Sequence, residues 1–287
     1  KLTKPKVVYL IVFTAMVGML LAVDGAVPLD IFVFGLLGIG FAAASGAAIN
    51  HVVDERIDQI MERTKGRPIA SGDLGQRKAL IFALSLGVIG IAMLLIFINV
   101  LTAVLTFFSL VGYALIYTMY LKRATPQNIV LGGAAGAAPP LLGWTAVTGQ
   151  VETEALLLFL IIFIWTPPHF WALAIRRREE YAKADIPMLP VTHGVYFTKI
   201  QILLYTVLLF VVTLVPFLVQ MSGLIYLAGA VSLGIGFLYY AIKLYQDDEP
   251  NIIAMKTFSY SIFYLSVLFG FLLVDHYARI FIRGYLA

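Results

Sequence analysis

Seven stretches of the chain contain no Asp, Glu, Lys or Arg: residues 7–23, 31–53, 79–121, 124–151, 155–175, 200–242 and 257–274. A helix crosses the hydrocarbon core of a bilayer with ~20 apolar residues. Five of the stretches suit one crossing each. The other two, 79–121 and 200–242, are 43 residues long, too long for one crossing and right for two, with breaks expected near Asn99 and near residues 216–223. The expectation is an all-α membrane protein of nine transmembrane helices, bundled around a central cavity open to the cytoplasmic side. Strands do not fit, because the runs are continuously apolar and barrel strands need only ~10 alternating residues. Helices also satisfy their own backbone hydrogen bonds, which lipid cannot do for them. Charged residues make up only 13% of the chain, against about a quarter in a soluble domain. The surface must therefore meet a lipid bilayer.

Orientation follows from the basic residues. With the first residues in the cytoplasm and nine alternating crossings, 18 of the 20 Lys and Arg lie inside and only Arg279 and Arg283 outside, as the positive-inside rule requires. The net charge of +4 then reports topology, and no nucleic-acid partner is indicated. The expected location is a bacterial inner membrane, with the N-terminus and the long loops cytoplasmic. The first 23 residues have the order of a signal peptide, but their apolar run is long for one and reads as the first crossing. A start at Lys1 rather than Met is expected to be a trimmed end. The absence of Cys excludes disulfides, thiolate ligands and cysteine nucleophiles, and the four scattered His lack structural-zinc spacing.

Residues 1–287 read as one polytopic unit whose polarity gathers in two cytoplasmic loops, about 54–78 and 176–199. They hold 8 of the 16 acids and 11 of the 20 bases. The first begins with Asn50, Asp54 and Asp58 at steps of four, which stack on one side of a helix. Their oxygens are hard donors. Mg²⁺ typically takes one or two carboxylates, keeps waters and completes its shell with substrate phosphate. Arg63, Lys65 and Arg67 follow within ten residues, and Arg grips phosphate oxygens well. Acids with bases suit a magnesium-bound diphosphate. The plainer alternative is an ordinary helix end with local ion pairs.

In the second loop Glu180, with Glu179 and Asp185 behind it, offers carboxylates for a second Mg²⁺. Here the alternative is a solvated charge cluster. Between the loops, Tyr113, Tyr117 and Tyr120 are expected to share one helical face, either as interfacial belt residues or as a pocket whose ring faces stabilise a carbocation. Lys122 and Arg123 close that helix within reach of a diphosphate. Breaks are expected in the fifth crossing, at Gly132, Gly136, Pro139 and Pro140, and in the sixth, at Pro167 and Pro168. His169, inside an apolar run, is either functional or a hydrogen-bonded packing residue.

The Asn50-x3-Asp54-x3-Asp58 motif at the end of a second crossing resembles the intramembrane aromatic prenyltransferase (UbiA-type) superfamily. The finer blocks resemble its haem-farnesylating branch, the protoheme IX farnesyltransferases. These blocks are Asp58-x2-Met61-x-Arg63-Thr64-x2-Arg67-Pro68, Tyr117-Thr-x-Tyr120-Leu-Lys122-Arg123-x-Thr125-x2-Asn128, the Gly132 to Trp144 run, Pro167-Pro168-His169-Phe170-Trp171 and Ile186-Pro187-Met188-Leu189-Pro190. The resemblance implies farnesyl diphosphate and haem b as substrates, haem O as product, Mg²⁺ as cofactor and a downstream haem A synthase as partner. It implies Asn50, Asp54, Asp58 and Glu180 at the reacting centre, and diphosphate contacts from Arg63, Lys65, Arg67, Lys122 and Arg123. Asn128, Trp171, His169 and His193 would serve the prenyl or haem pocket, with either His orienting the iron. Where the wider superfamily carries an acid four residues before Glu180, this chain has Arg176, expected to contact phosphate instead.

Rival readings are a prenyltransferase acting on a quinone-ring precursor, a membrane transporter and a non-catalytic haem chaperone. A transporter's polar groups should lie at the membrane midplane, whereas these acids cluster at one face. A chaperone has no need of the Asp54/Asp58 pair.

Overall fold

The computed structural model describes residues 2–62 and 64–286, with side chains to Arg283. Every regular element among them is a helix. Eight spans are long and apolar enough to cross a membrane, and a ninth apolar helix, α1 (Pro5–Leu21), has 17 residues. At 1.5 Å per residue α1 is about 26 Å long, just short of the hydrocarbon core. Eight of the nine expected crossings are thus present as full spans among the described residues, and the first is a helix shorter than a full span.

The chain divides into two compact units. The first, Lys1–Val151 with Glu179–Pro187, contains α1, α2 (Leu29–Val53), α3 (Glu55–Ile60), α4 (Gln76–Phe97) and α5 (Val100–Val111). A π-helix (Gly112–Leu121), α6 (Lys122–Ala124), α7 (Asn128–Ala137) and α8 (Pro139–Thr148) follow. The first 43-residue run breaks at Asn99, as expected. Its Oδ1 accepts from Thr102 N at 2.8 Å and its Nδ2 donates to Thr145 O at 2.9 Å, so one side chain caps α5 and ties it to α8. The fifth crossing breaks at Ala138, because Pro139 and Pro140 have no N–H to continue the ladder.

Small residues set the packing. α2 lies along α4, where a Cβ on Gly90 would come within 2.7 Å of Gly38 O. α1 lies on α8 with its backbone equally close: a Cβ on Gly143 would fall 2.0 Å from Ala15 O, and one on Gly18 2.1 Å from Pro140 O. Lipid supplies no hydrophobic drive for helix association, so this approach and its van der Waals contact do the work. The outward faces are apolar, as at Val88 and Ile96 of α4 and Phe108 of α5.

The second unit, Glu152–Arg178 with Met188–Ala287, contains α9 (Thr153–Arg176), the start of α10 (Arg178–Lys183), α11 (Leu189–Thr192), α12 (Gly194–Leu218), α13 (Leu224–Gln246) and α14 (Asn251–Leu286). The second 43-residue run breaks between Leu218 and Leu224, again as expected. There buried Asp275 of α14 accepts from Gly223 N at 2.5 Å and Tyr226 N at 3.1 Å, capping α13 from another helix. The expected break in the sixth crossing does not occur: α9 runs unbroken through Pro167 and Pro168. Thr166 Oγ1 donates to Ile162 O at 2.8 Å and Trp165 Nε1 to Ser261 O at 2.8 Å, so side chains brace the stretch around the prolines, although neither bond replaces those the prolines cannot donate.

Gly143→Ala should force α1 and α8 apart and cost about 1–3 kcal/mol, read as a lower melting temperature of the detergent-solubilised protein. An unchanged melt would contradict backbone contact at that crossing.

Candidate functional site

In the first unit, Asn50, Asp54 and Asp58 are all buried at the C-terminal end of α2. α2 formally stops at Val53 with Asp54 as its cap. Helical bonds nevertheless carry on, Asp54 N to Asn50 O at 2.9 Å and Asp58 N to Asp54 O at 2.8 Å, so the row keeps its i, i+4 stacking.

A separate cation meets each member of the row. Lys4 Nζ donates to Asn50 Oδ1 at 2.5 Å, and Lys122 Nζ to Asp54 Oδ2 at 2.5 Å. Arg67 Nη1 bridges both oxygens of Asp58, at 2.8 and 2.6 Å. Asn50 Nδ2 links the row internally, donating to Asp54 Oδ2 at 2.8 Å and to Thr118 Oγ1 at 3.3 Å. Two acids against three cationic side chains leave the cluster at 3 − 2 = +1, a surplus suited to an anion. Burial pushes the Lys4 ammonium down to about 7, and the charge of Arg67 acts the same way. Lys4 is the cation this cluster accommodates least well.

Asp54 Oδ1 is buried without a hydrogen-bond partner, so a hard oxygen donor is left over. Asn50 Oδ1 and the Asp58 carboxylate are donors of the same kind. These residues fit Mg²⁺. Among the described residues no three of His, Asp and Glu converge as a metal cage. The row and the Glu179, Glu180 and Asp185 group therefore form no protein-only site, and a metal here would need phosphate oxygens to complete its shell.

The π-helix explains the tyrosines. Thr118 Oγ1 donates to Tyr113 O at 2.8 Å, five residues back, and the widened turn directs Thr118 at Asn50. Tyr113 and Tyr117 stack with centroids 5.6 Å apart. Tyr113 lies against Gly46, and Tyr117 covers Gly132, where a Cβ would meet its ring at 2.2 Å. Tyr120 leaves the expected shared face and is 68% exposed, an outward position. Asn128 is buried, and its Nδ2 donates to Lys122 O at 3.3 Å; it secures the backbone that presents Lys122.

Lys65 pairs with Glu62 at 2.6 Å on the surface, and Arg123 is exposed. Arg63 lies outside the described residues. In α10 Glu179 is exposed and Glu180 half-buried, and exposed Asp185 has a φ of 51°. In the second unit Trp171 is buried edge-on to Tyr205, with centroids 5.4 Å apart. Arg176 is exposed at the end of α9. Exposed His193 stacks on Phe197 at 5.4 Å, its Nδ1 2.8 Å from Thr192 Oγ1. His169 is held between Trp165 and Phe258, at 4.2 and 4.6 Å, with Nδ1 2.6 Å from Ser261 Oγ.

Sequence reasoning missed Lys4 and Thr118. The first counted only toward topology, although Lys-Pro at a helix start fixes where the lysine sits. The second gave no signal, because an α-helical reading does not register a π-helical turn.

Residues 11–274 match the model of the UbiA prenyltransferase family. A Thioalkalivibrio sulfidiphilus protein named protoheme IX farnesyltransferase is 64% identical, over 97% of this chain and 92% of its own length. A Legionella pneumophila (strain Paris) protein of the same name is 63% identical, over 96% and 94%. Among solved structures, a digeranylgeranylglyceryl phosphate synthase superposes with a TM-score of 0.81 at 19% identity, covering 96% of both chains. A UbiA homolog from Archaeoglobus fulgidus bound to GPP and Mg²⁺ superposes with a TM-score of 0.65 at 16% identity, covering 94% of this chain and 98% of that one.

Lys122→Met should leave the Asp54 carboxylate buried and uncompensated, lowering stability by about 3–5 kcal/mol. Adding Asp54→Asn should recover much of that loss in a denaturation cycle. Additive effects would mean that the two side chains do not interact.

Proposed function

Because the chain belongs to the UbiA prenyltransferase family, we propose that it transfers the farnesyl group of farnesyl diphosphate to a vinyl group of haem b, giving haem O. The observation that carries the diphosphate half is the buried Asn50–Asp54–Asp58 row with its three cations. The shared name of relatives more than 60% identical over nearly the whole chain supports haem as the acceptor. A quinone-ring acceptor would share the row, but the relatives described above carry the haem-farnesylating name.

Asn50, Asp54 and Asp58 would hold Mg²⁺, which when bound supplies positive charge to the diphosphate; the Archaeoglobus homolog bound to GPP and Mg²⁺ supports this. Arg67, Lys122 and Lys4 would turn from the row to the diphosphate oxygens and stabilise charge that grows as the C1–O bond breaks. Its electron pair leaves with the diphosphate. The stacked faces of Tyr113 and Tyr117 would shield the allylic cation, and the vinyl π pair forms the new C–C bond. The cation left beside the porphyrin takes up water and releases a proton, leaving a hydroxyethylfarnesyl substituent. Glu180, with Glu179 and Asp185, would approach the diphosphate from the second loop, and Arg63 would reinforce Arg67. A haem A synthase would receive the product.

The protein is an integral membrane protein by its spans and family. We assign it to the bacterial cell membrane with the N-terminus and both long loops in the cytoplasm. Because the chain has no Cys, single introduced thiols test this cleanly. In intact cells Gln150→Cys should react with an impermeant maleimide and Ser71→Cys should not; the opposite pattern would invert the topology.

Purified protein with haem b, farnesyl diphosphate and Mg²⁺ should yield haem O by mass, and chelating Mg²⁺ should stop it. Asp54→Ala should reduce turnover on the order of 10²-fold or more with the helical fold retained. Product from a 4-hydroxybenzoate-type acceptor and none from haem would overturn the acceptor.

A further inference from the structure

Asn50 is the one amide in the row, and it can serve a metal only through Oδ1. The direction of that amide therefore decides whether residue 50 offers the site an acceptor or two N–H groups. Oxygen and nitrogen pack alike, so hydrogen-bonding neighbours must fix the choice. On one side Nδ2 lies 2.8 Å from Asp54 Oδ2 and 3.3 Å from Thr118 Oγ1. On the other, Oδ1 lies 2.5 Å from Lys4 Nζ. A carboxylate only accepts and an ammonium only donates, so these two neighbours agree.

Counting protons shows that Thr118 agrees with them. Its hydroxyl has one proton, and that proton goes to Tyr113 O at 2.8 Å, five residues back along the π-helix. A carbonyl can only accept, so Oγ1 offers Asn50 lone pairs alone. Thr118 thus accepts from Nδ2 and would repel Oδ1. Both side chains are buried, where a mismatched polar pair is costly. A carboxylate at position 50 would set its oxygens against both Asp54 Oδ2 and these lone pairs, which accounts for an amide at the head of the row.

The three constraints do not survive equally once the site is loaded. In the reading above Asp54 turns to the metal and Lys4 to the diphosphate, so two of them depart together. Thr118 carries no charge to follow either ligand, and its proton is engaged with its own backbone. We propose that Thr118 is a positioning residue for Asn50, its Oγ1 keeping the amide turned so that Oδ1 faces Mg²⁺ in the loaded site. This rests on the reading of the row as a magnesium site. Groups that orient a metal ligand typically change metal affinity by about 10- to 100-fold.

The test uses the full-length protein in nanodiscs with farnesyl diphosphate, no haem and Mn²⁺ as the probe, free Mn²⁺ being counted by its EPR signal. Thr118→Val keeps the volume and removes the acceptor, Thr118→Ala removes both, and Thr118→Ser keeps the hydroxyl. Val and Ala should each weaken Mn²⁺ binding about tenfold or more, and Ser should bind within about threefold of wild type. A packing role predicts another order, with Val like wild type and Ser impaired. In haem O formation Thr118→Val should need about tenfold more Mg²⁺ for half its maximal rate, with kcat largely restored at saturation. Val or Ala that binds Mn²⁺ like wild type, or Ser that binds as poorly as Val, overturns the inference. Loss of the helical fold in both Val and Ala also overturns it, since Thr118 would then be structural only. Wild-type protein that takes up no Mn²⁺ with farnesyl diphosphate, or Asp54→Ala that takes up as much as wild type, overturns the magnesium reading and the inference with it.

Discussion

Two carboxylates buried beside a membrane carry a heavy electrostatic cost, and much of the first unit is arranged around meeting it. An uncompensated buried ion is penalised by several kcal/mol. Asp54 and Asp58 avoid this through cations drawn from distant positions, Lys122 and Arg67, while Lys4 covers the neighbouring Asn50. The partners come from before α1, from the loop after α3 and from the end of the π-helix. Each element must reach its place for the row to be satisfied, so the electrostatics and the helix packing are one problem.

Small residues answer the packing half. Gly38 with Gly90, and Gly143 with Ala15, let backbones approach within side-chain distance. Glycine also makes room for the site itself, since Gly132 and Gly46 receive the rings of Tyr117 and Tyr113. The same residues that weaken helices in water serve here because lipid leaves the helix little alternative to its own hydrogen bonds. Where helices end within the long apolar runs, side chains intervene, as Asn99 and Asp275 do.

Charge distribution made most of this fold legible. The two 43-residue runs break at Asn99 and between Leu218 and Leu224 as their length requires. The row of Asn50, Asp54 and Asp58 was readable because i, i+4 spacing survives even where α2 formally ends. The Pro167-Pro168 pair misled because proline predicts a missing donor and not a missing helix; Thr166 and Trp165 bonds were invisible to local reading. Tyr120 misled for a related reason, since its face depends on a π-helical register set by Thr118. Lys4 was illegible because its partner lies 46 residues away, and only tertiary structure brings them together.

The proposed chemistry gives the cation-for-acid pairing a second meaning. Without ligands, each buried acid has a cation. With Mg²⁺ and diphosphate together, the acids would turn to the metal and the same cations to the phosphate oxygens, so neither acid is stranded in either state. Metal alone would bring added positive charge to a cluster already at +1 by its side chains, and would displace cations with nowhere to go. Diphosphate alone would draw the cations away and strand Asp54 and Asp58. Only the pair of ligands would leave both acids with a cationic partner, which is what the proposed chemistry would gain from burying two carboxylates among three cations at the end of a membrane helix.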